Sequence, residues 1–275
     1  MVSCIAKQTL NFSHNMDKAT GTVGAQSLRR SLNLLRLLAE HHEAGITLTQ
    51  AMQASGLERS TVHRLLSCLA EEQFAERDPE TKSYRLGIDA MQLGFSSMRR
   101  VPLVDSYRPL MHKLARMSGD TVFLVIRQGD YCLCLHREEG HFPVKVFTTD
   151  VGGRRLLGVG AGGLALMAAL GDEENDRIFE RHAAEYAQAG FTRTQLRRAV
   201  QRTRAAGHAD IEDTITVGVC GVGQTFAASA TTLAAISFGA ITPRLPAARK
   251  RELAALLKAE LASVSVAQQA RAARR

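Results

Sequence analysis

The stretch GLERSTVHRLLSCL, residues 56–69, sets Leu57, Val62, Leu65, Leu66 and Leu69 among serine, threonine, histidine and arginine. On a helix, Val62, Leu65, Leu66 and Leu69 share one face, while Ser60, Arg64, Ser67 and Glu71 point the other way and Thr61 and His63 lie on the flanks. The apolar face docks the helix. The other face opens with short hydroxyls and one long planar cation. These side chains suit the major groove of DNA, where arginine can take both guanine acceptors and Ser or Thr can bond a base or a phosphate.

The flanks fit that reading. SLRRSLNLLRLLAEHH has Leu28, Leu32, Leu35 and Ala39 at helical spacing, widened by Leu34 and Leu38, with Ser27 as its expected N-cap. ITLTQAMQASG predicts a short helix capped by Thr47 and stopped by Gly56. FAERDPETKSYRLG predicts two strands around an Asp78-Pro79-Glu80-Thr81 turn. Together these form a winged helix-turn-helix. Its expected DNA contacts are Thr47, Arg59, Ser60, Thr61, His63, Arg64 and Ser67, with Lys82, Tyr84 and Arg85 on the wing. The alternative is an amphipathic helix in a small bundle, or a winged helix used for protein contacts.

Beyond the wing, Ile88, Met91, Phe95 and Met98 predict a linker helix over 88–101, and Val104, Tyr107, Met111 and Leu114 a further helix. TVFLVIRQGDYCLCLHREEG reads as two strands joined at Gly129-Asp130, and VKVFTT as a third. A glycine-rich run enters a helix, and two more helical stretches lead to Ala206. TITVGVCGVGQTFAAS and TLAAISFGAI read as strands, and RLPAARKRELAALLKAELASVSVAQ as a closing helix with Pro246 in its first turn. The whole is α+β: helices and a hairpin in front, a mixed α/β domain behind. The expected divisions are a mobile leader 1–25, a DNA-binding domain 26–87, a linker 88–101, a rear domain 102–268 and a frayed tail 269–275.

Composition narrows the function classes. Apolar residues make up 45% of the 275, enough for a packed core. No apolar run approaches the ~20 residues of a membrane helix, and the first 26 residues lack a signal-peptide centre, so a cytoplasmic protein is expected. The net charge of +8 suggests a polyanionic partner. Residues 1–87, however, carry ten Lys/Arg against nine Asp/Glu, so the excess lies outside the helix-turn-helix. Five cysteines form no disulfide framework. Cys132, Cys134 and His136 alternate along a strand and would share a face, which allows a metal site but is met as well by a buried strand. An enzyme has little support. H-E-x-x-H is absent, and G-V-G-A-G-G over 158–163 lacks the context of a nucleotide loop. No cofactor and no metal are expected.

Residues 26–87 resemble the N-terminal domain of the IclR family of bacterial transcription regulators. The marks are QSL-x-R-x-L near the start, TLT opening the second helix, SGL at the turn, STVHRLL in the next helix and ERDPET-x-x-YRLG in the wing. YCLCLHREEG, GAGGLAL and AAISFGAITPRLP extend the likeness to the rear. The resemblance implies a GAF/PAS-like α/β effector-binding domain, homodimers or homotetramers on double-stranded operator DNA, and a small organic acid as effector. It places the effector at Gly160, Ala161 and Gly162, with an acidic residue at Asp213 or Asp210 and a hydroxyl at Ser237. Glycines there leave backbone N–H groups at a helix start open to a carboxylate. This chain departs from the pattern. Ile211 stands where some members have Asp, Gly239 replaces a second serine, and Gly221 replaces a cysteine, with Cys220 one position away. The departures imply a roomier, less polar pocket and an aromatic acid.

Overall fold

The computed structural model describes residues 24–98, 102–229 and 232–272. The expected leader, but for its last two residues, lies outside the described residues, as do 99–101 of the expected linker and 273–275 of the tail. The chain forms two compact units, Met1–Val101 and Pro102–Arg275.

In the first unit, α1 (Gln26–Glu40), α2 (Leu48–Ser55) and α3 (Arg59–Glu71) precede a hairpin of β1 (Ala75–Arg77) and β2 (Tyr84–Leu86), and α4 (Ile88–Met98) follows. The α1 cap is Ala25, without a side-chain bond, so Ser27 lies inside the first turn rather than capping it. The buried seam of α1 runs through Leu34 and Leu38, whereas Leu28 is 61% exposed. Thr47 caps α2 in a reciprocal capping box with Gln50. Gly56 ends that helix at φ +66°, a left-handed conformation that only glycine takes without strain. The core joins Leu34, Leu38, Ile46, Val62, Leu66 and Tyr84. Asp78 shapes the wing turn, its Oδ1 accepting from the backbone N–H of Glu80 at 2.8 Å and of Thr81 at 2.9 Å. Those backbone bonds, Thr81 first, hold its carboxyl below the usual range.

In the second unit, one antiparallel sheet has the order β5-β4-β3-β8-β7-β6, formed by Thr121–Gln128 (β3), Tyr131–Glu138 (β4), Arg154–Leu156 (β5), Ala209–Glu212 (β6), Val219–Ala227 (β7) and Leu233–Ile241 (β8). Helix α6 (Ala161–Ala168) packs on the face that carries Phe123 and Val125. On the other face, α5 (Pro102–Ser118) lays Tyr107 against Phe226 of β7, with ring centroids 4.4 Å apart, and α10 (Ala247–Ala272) also packs on β7. Three helices, α7 (Asp172–Arg181), α8 (Ala183–Gln188) and α9 (Arg193–Ala206), stand where the sequence suggested two.

Two strand expectations need correction. VKVFTT, 144–149, forms no strand, because Arg154–Leu156 takes the free edge of β4, with Leu156 opposite Tyr131 and Arg154 opposite Leu133. The strand expected from Thr214 begins only at Val219. The residues between are a loop closed by Asp213, whose Oδ1 accepts from the Gly218 N–H at 2.6 Å, and the missed β6 precedes it. The expected frayed tail is partly helical, since α10 runs to Ala272. Among the described residues, no helix is long and apolar enough to cross a membrane.

Candidate functional site

Helix α3 is sealed on one side and open on the other. Val62 and Leu66 are fully buried and Leu65 is 6% exposed, whereas Arg59, Ser60, His63 and Arg64 face solvent. Thr61 and Ser67 are half-buried, and the outward row continues through Cys68. The first N–H groups of an α-helix have no intrahelical acceptor. On α3 the N-cap Glu58 makes no side-chain bond to them, so they can meet a phosphate.

Two expected contacts are corrected. Thr47 commits its hydroxyl to the cap, donating to Gln50 Oε1 at 2.9 Å and accepting from the Gln50 N–H. Tyr84 is 3% exposed and belongs to the core, with the Arg77 guanidinium 5.7 Å from its ring centre. Strand alternation explains this, since the face of β2 that carries Tyr84 turns toward α1 and α3. The other wing cations are outside. Lys82 is exposed at φ +57°, its ammonium bonded to the Pro79 carbonyl. Arg85 lies 3.8 Å from the Asp78 carboxylate and donates to the Ala44 carbonyl.

In the second unit, Gly160, Ala161, Gly162, Gly221 and Ser237 line one cavity of about 50 Å³ where α6 begins over the sheet. Gly160 is the α6 N-cap at φ +82°, without a side-chain bond, so the first N–H groups of the helix stay uncapped by side chains. Ser237 is buried beneath them. Neither acid joins this cavity. Asp210 points to α10 and meets Lys250 Nζ at 2.8 Å, and Asp213 closes its own loop. Burial alone would lower the Lys250 pKa, but its bonds to Asp210 and Glu212 raise it instead.

Reasoning from sequence missed the cavity's cation. Arg155, on the unforeseen β5, lines it beside Thr148 and Thr149. Burial pulls the Arg155 pKa down. The expected extra room is also absent. A Cβ on Gly221 would meet the Phe238 carbonyl oxygen at 2.7 Å, and one on Gly239 would meet the Phe123 ring at 3.0 Å. These glycines mark close approach rather than open space.

The C-x-C-x-H run does not converge. A bulge between Leu124 and Val125 pairs Val125 with Cys134 but Leu124 with His136, so His136 turns to the α5 face. There its Nε2 lies 3.1 Å from Glu138, which also meets His112 of α5 at 3.2 Å. Cys132 and Cys134 stay in the core under α6, where burial raises both thiols, Cys132 to about 11 and Cys134 to about 12. Among the described residues no three such side chains form a metal-binding group.

Comparison with known proteins agrees with this geometry. Residues 27–79 match the IclR helix-turn-helix domain, and residues 95–266 the bacterial transcriptional regulator IclR C-terminal domain. The HTH-type transcriptional regulator BhcR of Paracoccus denitrificans is 37% identical over 145 residues, 53% of this chain and 51% of that protein, so the match spans about half of each. The transcriptional repressor IclR of Escherichia coli is 27% identical across 87% of this chain and 88% of its own length. An IclR family transcriptional regulator from Brucella abortus, solved by crystallography, shares the fold with a TM-score of 0.80, covering 92% of this chain and 97% of that one at 20% identity.

Proposed function

We infer the working of this chain from its kinship: it belongs to the IclR family of bacterial transcriptional regulators, with a helix-turn-helix DNA-binding domain in front and the family's C-terminal domain behind. It acts in the cytoplasm. It binds double-stranded operator DNA through α3, with Arg64, Ser60, Thr61 and His63 at base edges and Arg59, Lys82 and Arg85 on the backbone. The observation that carries this reading is the division of α3, where Arg64 faces solvent and its neighbour Leu65 faces the core. The functional divisions are those expected from the sequence: DNA-binding 26–87, linker 88–101, effector-binding 102–268.

The effector is a small organic acid, bound at the start of α6 between Arg155 and Ser237. A cavity of about 50 Å³, closed at Gly221 and Gly239, favours a short-chain acid over an aromatic one. The protein works as a homodimer or homotetramer. The exposed Leu28, Leu32, Met91 and Phe95 support pairing near the DNA-binding domain. An effector shifts operator affinity only by the difference in its own affinity for two arrangements of the pair. Fluorescence anisotropy of the full chain on the DNA upstream of its own gene, with short-chain and aromatic acids added in turn, tests both halves. Binding that a short acid alters is expected; no binding beyond that to random DNA overturns the first half, and a response to aromatic acids only overturns the second.

A further inference from the structure

The cavity at the start of α6 has two unlike ends. Arg155 stands on β5 and Ile211 on β6, the opposite edges of the six-stranded sheet, and both line it. Gly160 brings the ends close together. A Cβ built on it would sit 3.1 Å from Ile215 Cδ1 and 3.8 Å from Arg155 Cδ. A small ligand over the first turn of α6 is therefore within reach of both.

The Arg155 end is polar, with Thr148 and Thr149 beside the guanidinium. The other end is Ile211, Ile215 and Val219. Strand alternation makes it apolar. In β6, Ala209 and Ile211 are buried while Asp210 and Glu212 are exposed, and both acids bond Lys250 of α10 instead. Ile215 belongs to the loop that Asp213 closes, and it packs on the core that holds Val125 and Ala161. Among the described residues that line the cavity, Arg155 is the one charged side chain.

This arrangement sorts acids by their charge. One anion can meet Arg155. A second would be buried against isoleucine and valine without a cation, which is strongly disfavoured. A methyl buried at the same place is favoured. The cavity of about 50 Å³ has room for roughly four water-sized groups at ~10–15 Å³ each. We propose that Ile211 and Ile215 select the effector, admitting a monocarboxylate with a short apolar tail and rejecting its dicarboxylate counterpart. The carboxylate lies at Arg155 and the first N–H groups of α6, and the tail packs on the two isoleucines. The inference rests on the reading of this cavity as an acid site; it adds the class of acid and the residues that choose it.

The test uses the full chain carrying ¹³C-methyl isoleucine, with the Ile211 and Ile215 resonances assigned by Ile211→Val and Ile215→Val. Propionate, malonate and acetate serve as probes. Malonate is propionate with its methyl replaced by a carboxylate, and acetate is one carbon shorter. Propionate should shift both isoleucine signals saturably. Malonate should bind at least about tenfold more weakly, for want of a second cation. Acetate should bind about fourfold more weakly, the effect of one buried methylene. Ile215→Lys supplies that cation and should place malonate above propionate. Ile215→Thr, a smaller change, should shrink the lead of propionate over acetate if the lysine variant does not fold. With binding still weakened in Arg155→Met, the inference alone is overturned by malonate binding as tightly as propionate, by propionate leaving both isoleucine signals unmoved, or by parent-like ratios in a folded Ile215 variant. No saturable binding of any of the acids, or binding that Arg155→Met leaves unchanged, overturns the acid reading and the inference with it.

Discussion

The Arg155 guanidinium donates to the Thr149 hydroxyl at 2.9 Å, which fixes a cation on the wall of the cavity where α6 begins. If that cavity receives a carboxylate, Arg155→Met should lose the charge-assisted bonds, about 1.5–3 kcal/mol of effector affinity. Calorimetric titration with short-chain acids reads this directly. A variant that binds the acid as the parent does would remove Arg155 from the site.

Gly221 gives a second prediction. A Cβ there meets a backbone oxygen at 2.7 Å, which a flexible side chain cannot relieve. Gly221→Ala should therefore lower the melting temperature by several degrees, at about 1–3 kcal/mol. A melting temperature equal to the parent's would restore the roomier pocket that the sequence suggested.

The wing separates stability from affinity. Tyr84→Ala removes a core aromatic and should cost about 3–5 kcal/mol of stability, by analogy with other large-to-small aromatic changes. Lys82→Ala should leave stability unchanged, weaken binding to every DNA sequence alike and reduce the salt slope by about one. Chemical denaturation and anisotropy at several salt concentrations check the two together. A Lys82→Ala loss confined to one operator would contradict the backbone role.

Asp130 makes stability pH-dependent. Burial alone would raise its pKa, but two 2.9 Å bonds from Arg181 and one from His182 carry it below the ordinary 3.8. The folded pKa is depressed, so the contribution is present above that ordinary value and fades as pH falls through the folded one. Urea denaturation from pH 6 down to pH 3 should show stability falling toward the acid end, and Asp130→Asn should flatten that slope. Equal slopes in both proteins would assign the acid loss to other carboxylates.

The front of the molecule was legible because its signals are local. Helical spacing, the Thr47 cap, Gly56 and the Asp78 turn each act within a few residues. The apolar runs on either side of the Gly129-Asp130 turn also exposed β3 and β4. What escaped depends on partners distant in sequence. The edge strands Arg154–Leu156 and Ala209–Glu212 span three and four residues, too few to alternate visibly, and exist because β4 and β7 offer them an edge. Arg155 was missed with its strand. Asp210 was misplaced because no local feature announces Lys250. His136 left the cysteines because a bulge reversed its face, and Tyr84 was taken for a surface residue because its burial rests on α1 and α3.

The account depends most on the outward face of α3. Arg64→Ala, compared with the parent on an operator and on its single-base variants at fixed salt, is the direct measurement. The expected result is a loss of about 1–3 kcal/mol on the operator, with discrimination relaxed at one base pair and folding intact. Parent-like affinity and parent-like discrimination in a folded Arg64→Ala protein would contradict it.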